Sequence, residues 1–202
     1  LDLSSSRTIQ PATVDGTQTW AIIEKTQTPQ GLGTDSLIVD RSTLRPVSHH
    51  QRGPLSMDIT FTDTSASGEI TMRGQSTSIS QTFDTPTLAG GAHDLLALGT
   101  MPLKPGFSTS LQVFAPRQQT VRTANFEVTG TKTVETPAGS FEAYVVDVTV
   151  GDDKVSGTVH LRKTAPHHVV KTKLDVSTPR GTRTISQSLS RMSTSTSGSG
   201  TR

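Results

Sequence analysis

Met57, Ile59 and Phe61 alternate with Asp58, Thr60 and Thr62; Val155, Val159 and Leu161 alternate with Ser156, Thr158, His160 and Arg162; Val170, Leu174 and Val176 alternate with Lys171, Lys173 and Asp175. Successive side chains of a strand point to opposite faces, so each run has one dry face and one wet face. That is the pattern of an antiparallel sheet covered on one side. Comparable short runs recur at residues 17–25, 35–40, 46–51, 55–62, 69–73, 76–83, 107–114, 120–129, 140–150, 154–162, 168–176 and 182–191. About a dozen short strands with turns between them predict an all-β sandwich, an open barrel or a strongly curved antiparallel sheet. The run 140–150 differs: Tyr144, Val146, Val148 and Val150 line one face while Phe141, Ala143 and Val145 line part of the other. It reads as a central strand covered on both sides.

Three quartets of one design supply reversals: Thr28-Pro29-Gln30-Gly31, Thr136-Pro137-Ala138-Gly139 and Thr178-Pro179-Arg180-Gly181. Proline brings the φ that the second position of a turn needs, and glycine lets the chain leave at low steric cost. The period of two breaks at residues 88–98, Leu-Ala-Gly-Gly-Ala-His-Asp-Leu-Leu-Ala-Leu, which predicts a short helix ended by Gly99 and Pro102. A single helix amid strands is expected on the apolar concave face of the sheet. The two-proline stretch 101–107 then divides the chain into two β-rich halves meeting near residues 99–106, within a single β domain over 17–192. Residues 1–16 show no periodicity and read as an irregular segment, and the Ser/Thr/Gly run 193–202 reads as a flexible tail. Strand, Thr-Pro-x-Gly turn, strand and Pro-containing hairpin occur at residues 20–50 and again at 126–170, a faint internal echo.

Composition narrows the picture further. A chain of 202 residues can bury a core without metal or disulfide, and with no cysteine it has neither disulfides nor thiolate chemistry. Aromatic residues are only 4% of the chain, so the core must be built from Val, Ile, Leu and a few Phe. No apolar run approaches the length of a membrane-spanning helix. The chain starts at Leu1 rather than Met, which predicts a signal peptide, a lipoprotein leader or a preceding domain upstream. The net charge of +2 is small, but the basic residues gather late; they read first as a solvated strand face, and alternatively, through Lys163, Lys171 and Lys173, as a surface for anionic lipid or polysaccharide. One Trp and one Tyr provide no stacking platform for nucleic acid.

The stretches 134–146, with Val-Glu-Thr-Pro-Ala-Gly-Ser-Phe, and 159–171, with Thr-Ala-Pro-His-His-Val-Val-Lys, resemble bacterial exported β-proteins of uncharacterised function. In these a Thr-Pro-Ala-Gly turn precedes a strand and a Pro-containing hairpin follows. They are similar in plan to the LolA-like lipoprotein-carrier fold, a curved antiparallel sheet around a short helix. The resemblance implies export to the periplasm or cell surface, or secretion, and the handling of apolar ligands. It carries no catalytic residues.

The residues themselves point to no catalytic or cofactor motif. A Gly-x-Ser-x-Gly elbow and a phosphate-binding loop are both missing. The histidine pairs His49-His50 and His167-His168 sit on strands, where adjacent side chains face opposite ways, so neither pair chelates a metal from one face. Asp147, within the valine-rich run, is expected on an outward face beside a basic neighbour. The leading expectation is therefore a non-catalytic exported binding or accessory domain, without cofactor. Its apolar or lipid-like ligand would enter a concavity lined by Leu95, Leu98, Met101, Leu111, Val113, Tyr144 and Val146. A hydrolase with a dispersed His and carboxylate site, and a structural or adhesive envelope module pairing through strand edges, are the alternatives.

Overall fold

The computed structural model describes residues 4–28, 31–152, 154–179 and 181–193. Fourteen strands and one helix follow in order: β1 (Ser4–Val14), β2 (Thr17–Thr28), β3 (Gly31–Asp40), β4 (Pro46–Arg52), β5 (Leu55–Phe61), β6 (Ser65–Met72), β7 (Gln75–Thr82), β8 (Thr87–Leu88), α1 (Ala92–Leu98), β9 (Ser108–Ala115), β10 (Thr120–Thr136), β11 (Gly139–Val150), β12 (Val155–Arg162), β13 (Val169–Thr178) and β14 (Gly181–Ser188). They form two sheets of seven strands, ordered β1 to β7 and β14 to β8, each a meander and neither closed into a barrel. The chain folds into two compact units, Leu1–Ala97 with Leu111–Thr123 and Leu98–Ser110 with Ala124–Arg202.

In the first unit the predicted alternation is realised. On β5, Met57, Ile59 and Phe61 are buried while Asp58 and Thr60 are exposed. The dry face continues across neighbouring strands through Ile22, Leu37, Ile70 and Ile79, and packs against Leu96 of α1 and against Phe83 and Phe114. The three phenylalanines Phe61, Phe83 and Phe114 meet edge to face, with centroids 6.3 and 5.5 Å apart around Phe114. The few aromatic side chains are thus concentrated at one end of this core.

In the second unit the dry face is built from cross-strand pairs, Phe126 opposite Val148, and Val128 opposite Val146, which in turn faces Val159. A bulge between Val128 and Gly130 shifts the register of β10 on β11. Beyond it the buried residues Val134 and Ala143 join Val170, Phe141 and Leu189 in a separate small cluster. The strand β11 is therefore buried through Ala143 near its start and through Val146 and Val148 further on. It lies between β10 and β12 with buried residues on both faces, as its sequence predicts.

The Thr-Pro-x-Gly turns share one geometry where they are described. The closing residues Gly31, Gly139 and Gly181 have φ of 121°, 122° and 112°, a region that favours glycine. The Thr136 and Thr178 hydroxyls donate across their turns to the Gly139 and Gly181 carbonyls at 3.0 and 2.6 Å. Pro29, Gln30 and Arg180 lie outside the described residues.

Several expectations are corrected. Residues 4–14 are not irregular: Ser4–Val14 pairs with β2 along its whole length. An edge strand exposed on nearly every residue needs no apolar alternation, so its sequence gives none. The helix begins at Ala92 rather than near residue 88, because Thr87 and Leu88 pair with β9 in the parallel sense, the one departure from antiparallel pairing among the described strands. Strand β10 runs on to Thr136, past the bulge that interrupts its pattern. The echo is not a repeat in register, since one strand, β3, separates the turn from the Pro-containing hairpin in the first instance and two, β11 and β12, in the second. His160, placed on a wet face by the alternation, is buried.

Candidate functional site

The α1-bearing face of the β1–β7 sheet is apolar through its middle and ionisable toward β1. Its most buried row runs Ile22, Leu37, His49 and Ile59 across β2 to β5. His49 interrupts this row, and its Nε2 lies 2.8 Å from Asp35 Oδ1, with Asp35 two residues before Leu37 on the same face. The other ring nitrogen, Nδ1, is buried without a partner. One row along, Arg7 on β1 bonds Glu24 on β2 at 2.6 Å.

From the helix side the face meets His93 and Asp94, the sequence that α1 folds around. His93 is 0% exposed and fully paired: its Nδ1 accepts the Ala89 N–H at 3.0 Å, so Nε2 carries the proton and donates to the Leu44 carbonyl at 2.7 Å. The ring thereby ties α1 to the β3–β4 turn, itself held by Asp40 Oδ1, which accepts from the Ser42 and Thr43 hydroxyls and backbone N–H groups. These bonds, the Ser42 hydroxyl first, hold the Asp40 carboxyl down at about 2. Burial pulls His93 down to about 4, opposed by the Leu44 carbonyl and reinforced by His49. Asp94 is pushed up to about 6 by burial, against the Leu95 N–H at 3.1 Å and the charge of Arg7. Two adjacent residues of one short helix are thus biased toward their neutral forms.

The opposite, polar face carries a second grouping. His50 Nδ1 and Arg52 Nη2 both lie 2.7 Å from Asp58 Oδ1, and together they hold the Asp58 carboxyl below its usual range. Ser36 lies directly opposite His50, which lies directly opposite Asp58, on three adjacent strands. His49 and His50 accordingly take different carboxylates on different faces, as the strand geometry requires. Among the described residues no group of three or more His, Asp or Glu side chains has the placement of a metal site.

The apolar residues singled out from sequence divide between the units. Leu95, Leu111 and Val113 belong to the first, Val113 buried and the other two half-buried; Leu98, Met101, Tyr144 and Val146 belong to the second, with Leu98 and Val146 fully buried and Met101 and Tyr144 half-buried. Tyr144 stacks edge-on against His167, centroids 5.8 Å apart. Asp147 accepts from the Thr158 hydroxyl at 3.2 Å, a neutral neighbour where a basic one was expected. The Asp35–His49 pair and the His93 tie escaped sequence reasoning because both depend on partners 14 and 49 residues away.

A family model of proteins of unknown function, DUF3108, matches residues 4–188. The chain belongs to the DUF3108 family. This agrees with the resemblance to uncharacterised β-proteins, and the match begins and ends with the β1 and β14 edge strands. No curated protein and no solved structure matches the chain. No helix among the described residues of this DUF3108 chain is long and apolar enough to cross a membrane.

Proposed function

We propose that this DUF3108 chain is a non-catalytic, exported binding or accessory domain that holds an amphipathic, lipid-like ligand on the α1-bearing face of the β1–β7 sheet. One observation carries the reading: the apolar face does not end where its core ends. Ile9 on β1, in the row of Ile22, stays 42% exposed, and Met72 on β6, opposite Leu55, stays 52% exposed. Apolar surface left open beside a core is where a further apolar body gains by docking. Half-buried Leu95 and Leu111 extend the same chemistry, and Arg7, Glu24, Asp35 and His49 supply a polar rim for a head group. The reading keeps the LolA-like plan and a periplasmic, cell-surface or secreted location. The exposed Lys163, Lys171 and Lys173 would let the protein rest against an anionic surface.

A fluorescent fatty acid titrated into the protein is expected to bind saturably, at one per chain. Ile9→Lys and Leu95→Lys should each weaken uptake by about tenfold or more, since each places a charge in an apolar contact. Leu32→Lys is the control: Leu32 is 55% exposed at an opposite-facing position of β3, and its change should leave uptake unaltered. Absence of uptake, or equal loss in all three variants, would remove the proposal.

The Ser36, His50 and Asp58 row favours a second reading, a hydrolase acting on the polar face. Its test is turnover of a small activated ester that disappears in His50→Ala.

A further inference from the structure

We propose that the second unit binds a phosphate-type oxyanion at His160, between Lys132 and Lys171. His160 is only 6% exposed, yet neither of its ring nitrogens has a hydrogen-bond partner. Buried polar groups are nearly always paired and leaving one unpaired is destabilising, so an imidazole with both nitrogens unpartnered is suited to binding an acceptor. It is the one buried side chain among the described residues with two such atoms.

The register shows what such an occupant would meet. His160 stands opposite Val145 on β11 and opposite Lys171 on β13. Past the β10 bulge, Gly130 stands opposite Val145 and Lys132 opposite Ala143, so Lys132 shares the face of His160 from the far side. A β-carbon at Gly130 would meet nothing within 4 Å, so the face is open beside Lys132, across Val145 from His160. Both lysines are exposed and neither is in a salt bridge. The other charged groups of the face are Arg162 and Lys173, and three carboxylates further along the strands: Asp147, engaged by Thr158, Glu127 opposite it, and Asp175, engaged by Thr184. The chain after β14 closes this end: the Leu189 carbonyl accepts the Ala138 N–H, and the Leu189 N–H donates to Val170.

Burial foremost, then the Lys132 charge, pushes the imidazole below its ordinary value, and the Lys171 charge adds to this; the Lys171 backbone favours the charged ring but makes no hydrogen bond of normal geometry. An oxyanion reverses this balance by accepting from both ammonium groups and from a protonated ring, as charge-assisted hydrogen bonds. Two ammonium groups and one imidazole suit a doubly charged phosphate, free in solution or at the head of a lipid. This site stands apart from the apolar face of the first unit and does not depend on it.

The test is titration of the full chain with inorganic phosphate, following the His160 ring nitrogens by nuclear magnetic resonance at constant ionic strength set with chloride. The expected result is a saturable shift, with the ring protonating at higher pH when phosphate is bound. Lys132→Gln and Lys171→Gln, both at exposed positions, should each weaken the response by about tenfold or more. His160→Leu should raise stability in chloride, a gain that a merely structural histidine would not give. A parallel arm uses vesicles of phosphatidylcholine with phosphatidic acid. Sedimentation with these vesicles, lost in the same lysine variants, without a response to free phosphate assigns the head group as the source. If neither probe moves the ring, or if the lysine variants respond as the parent does, the site is overturned.

Discussion

Asp94→Asn is expected to stabilise the protein by about 3 kcal/mol at pH 7.5 and by almost nothing near pH 4. The Asp94 carboxyl is raised by burial from 3.8 to about 6 in the folded chain, so folding favours its protonated form. The carboxylate penalty is fully present above pH 6 and is relieved as pH falls through that value toward 3.8. Asparagine keeps an acceptor for the Leu95 N–H and carries no charge. His93 works in the opposite sense. Its folded value of about 4 lies below the ordinary 6.5, so its contribution is complete above 6.5 and is lost as pH falls through 4. Each effect is about 3 kcal/mol, and over the interval from pH 6.5 to 4 the two nearly cancel. The parent should therefore show little pH dependence from this helix, whereas Asp94→Asn should lose stability steadily on acidification. Urea midpoints of the two proteins across this range check it, and a constant difference would show that Asp94 is solvated in the folded chain.

The second large effect is expected at Gly157. It lies on β12 opposite Leu174 with φ of +148°, and a β-carbon there would sit 2.2 Å from the Lys173 carbonyl oxygen and 2.9 Å from Leu174 Cα. Those are backbone atoms of a paired strand, which cannot swing aside as a side chain would. Gly157→Ala should cost about 3–5 kcal/mol, combining overpacking with backbone strain. Gly139→Ala provides the contrast, since φ is +122° but nothing lies within 4 Å of the added carbon. Strain alone should cost it about 1 kcal/mol. Thermal or urea unfolding that ranks the two variants equally would mean that β12 and β13 part easily at this point.

Alternation was legible where one face is dry and the other wet, and β5 follows it residue by residue. It was silent for β1, whose residues are exposed on both faces and whose order comes from backbone pairing with β2. It misplaced His160, because alternation distinguishes the two faces of a strand without saying what later folds over either. Leu189, for example, reaches the cluster of Val134, Ala143 and Val170 from beyond the last strand. The turns were readable from Pro and Gly, but the part played by the Thr hydroxyls was not. Of the site, the apolar residues were recognisable as apolar, whereas Asp35–His49 and the His93 tie depend on tertiary neighbours that no local pattern encodes.

The central claim is that the α1-bearing face of the first unit accepts an apolar ligand. Methyl-resolved nuclear magnetic resonance during titration with dodecanoate tests it most directly. The predicted result is saturable shifts at the Ile9, Met72 and Leu95 methyl groups, with Leu32 and Ile185 unmoved. Shifts absent from the first three, or spread evenly over the exposed methyl groups of both units, would contradict it.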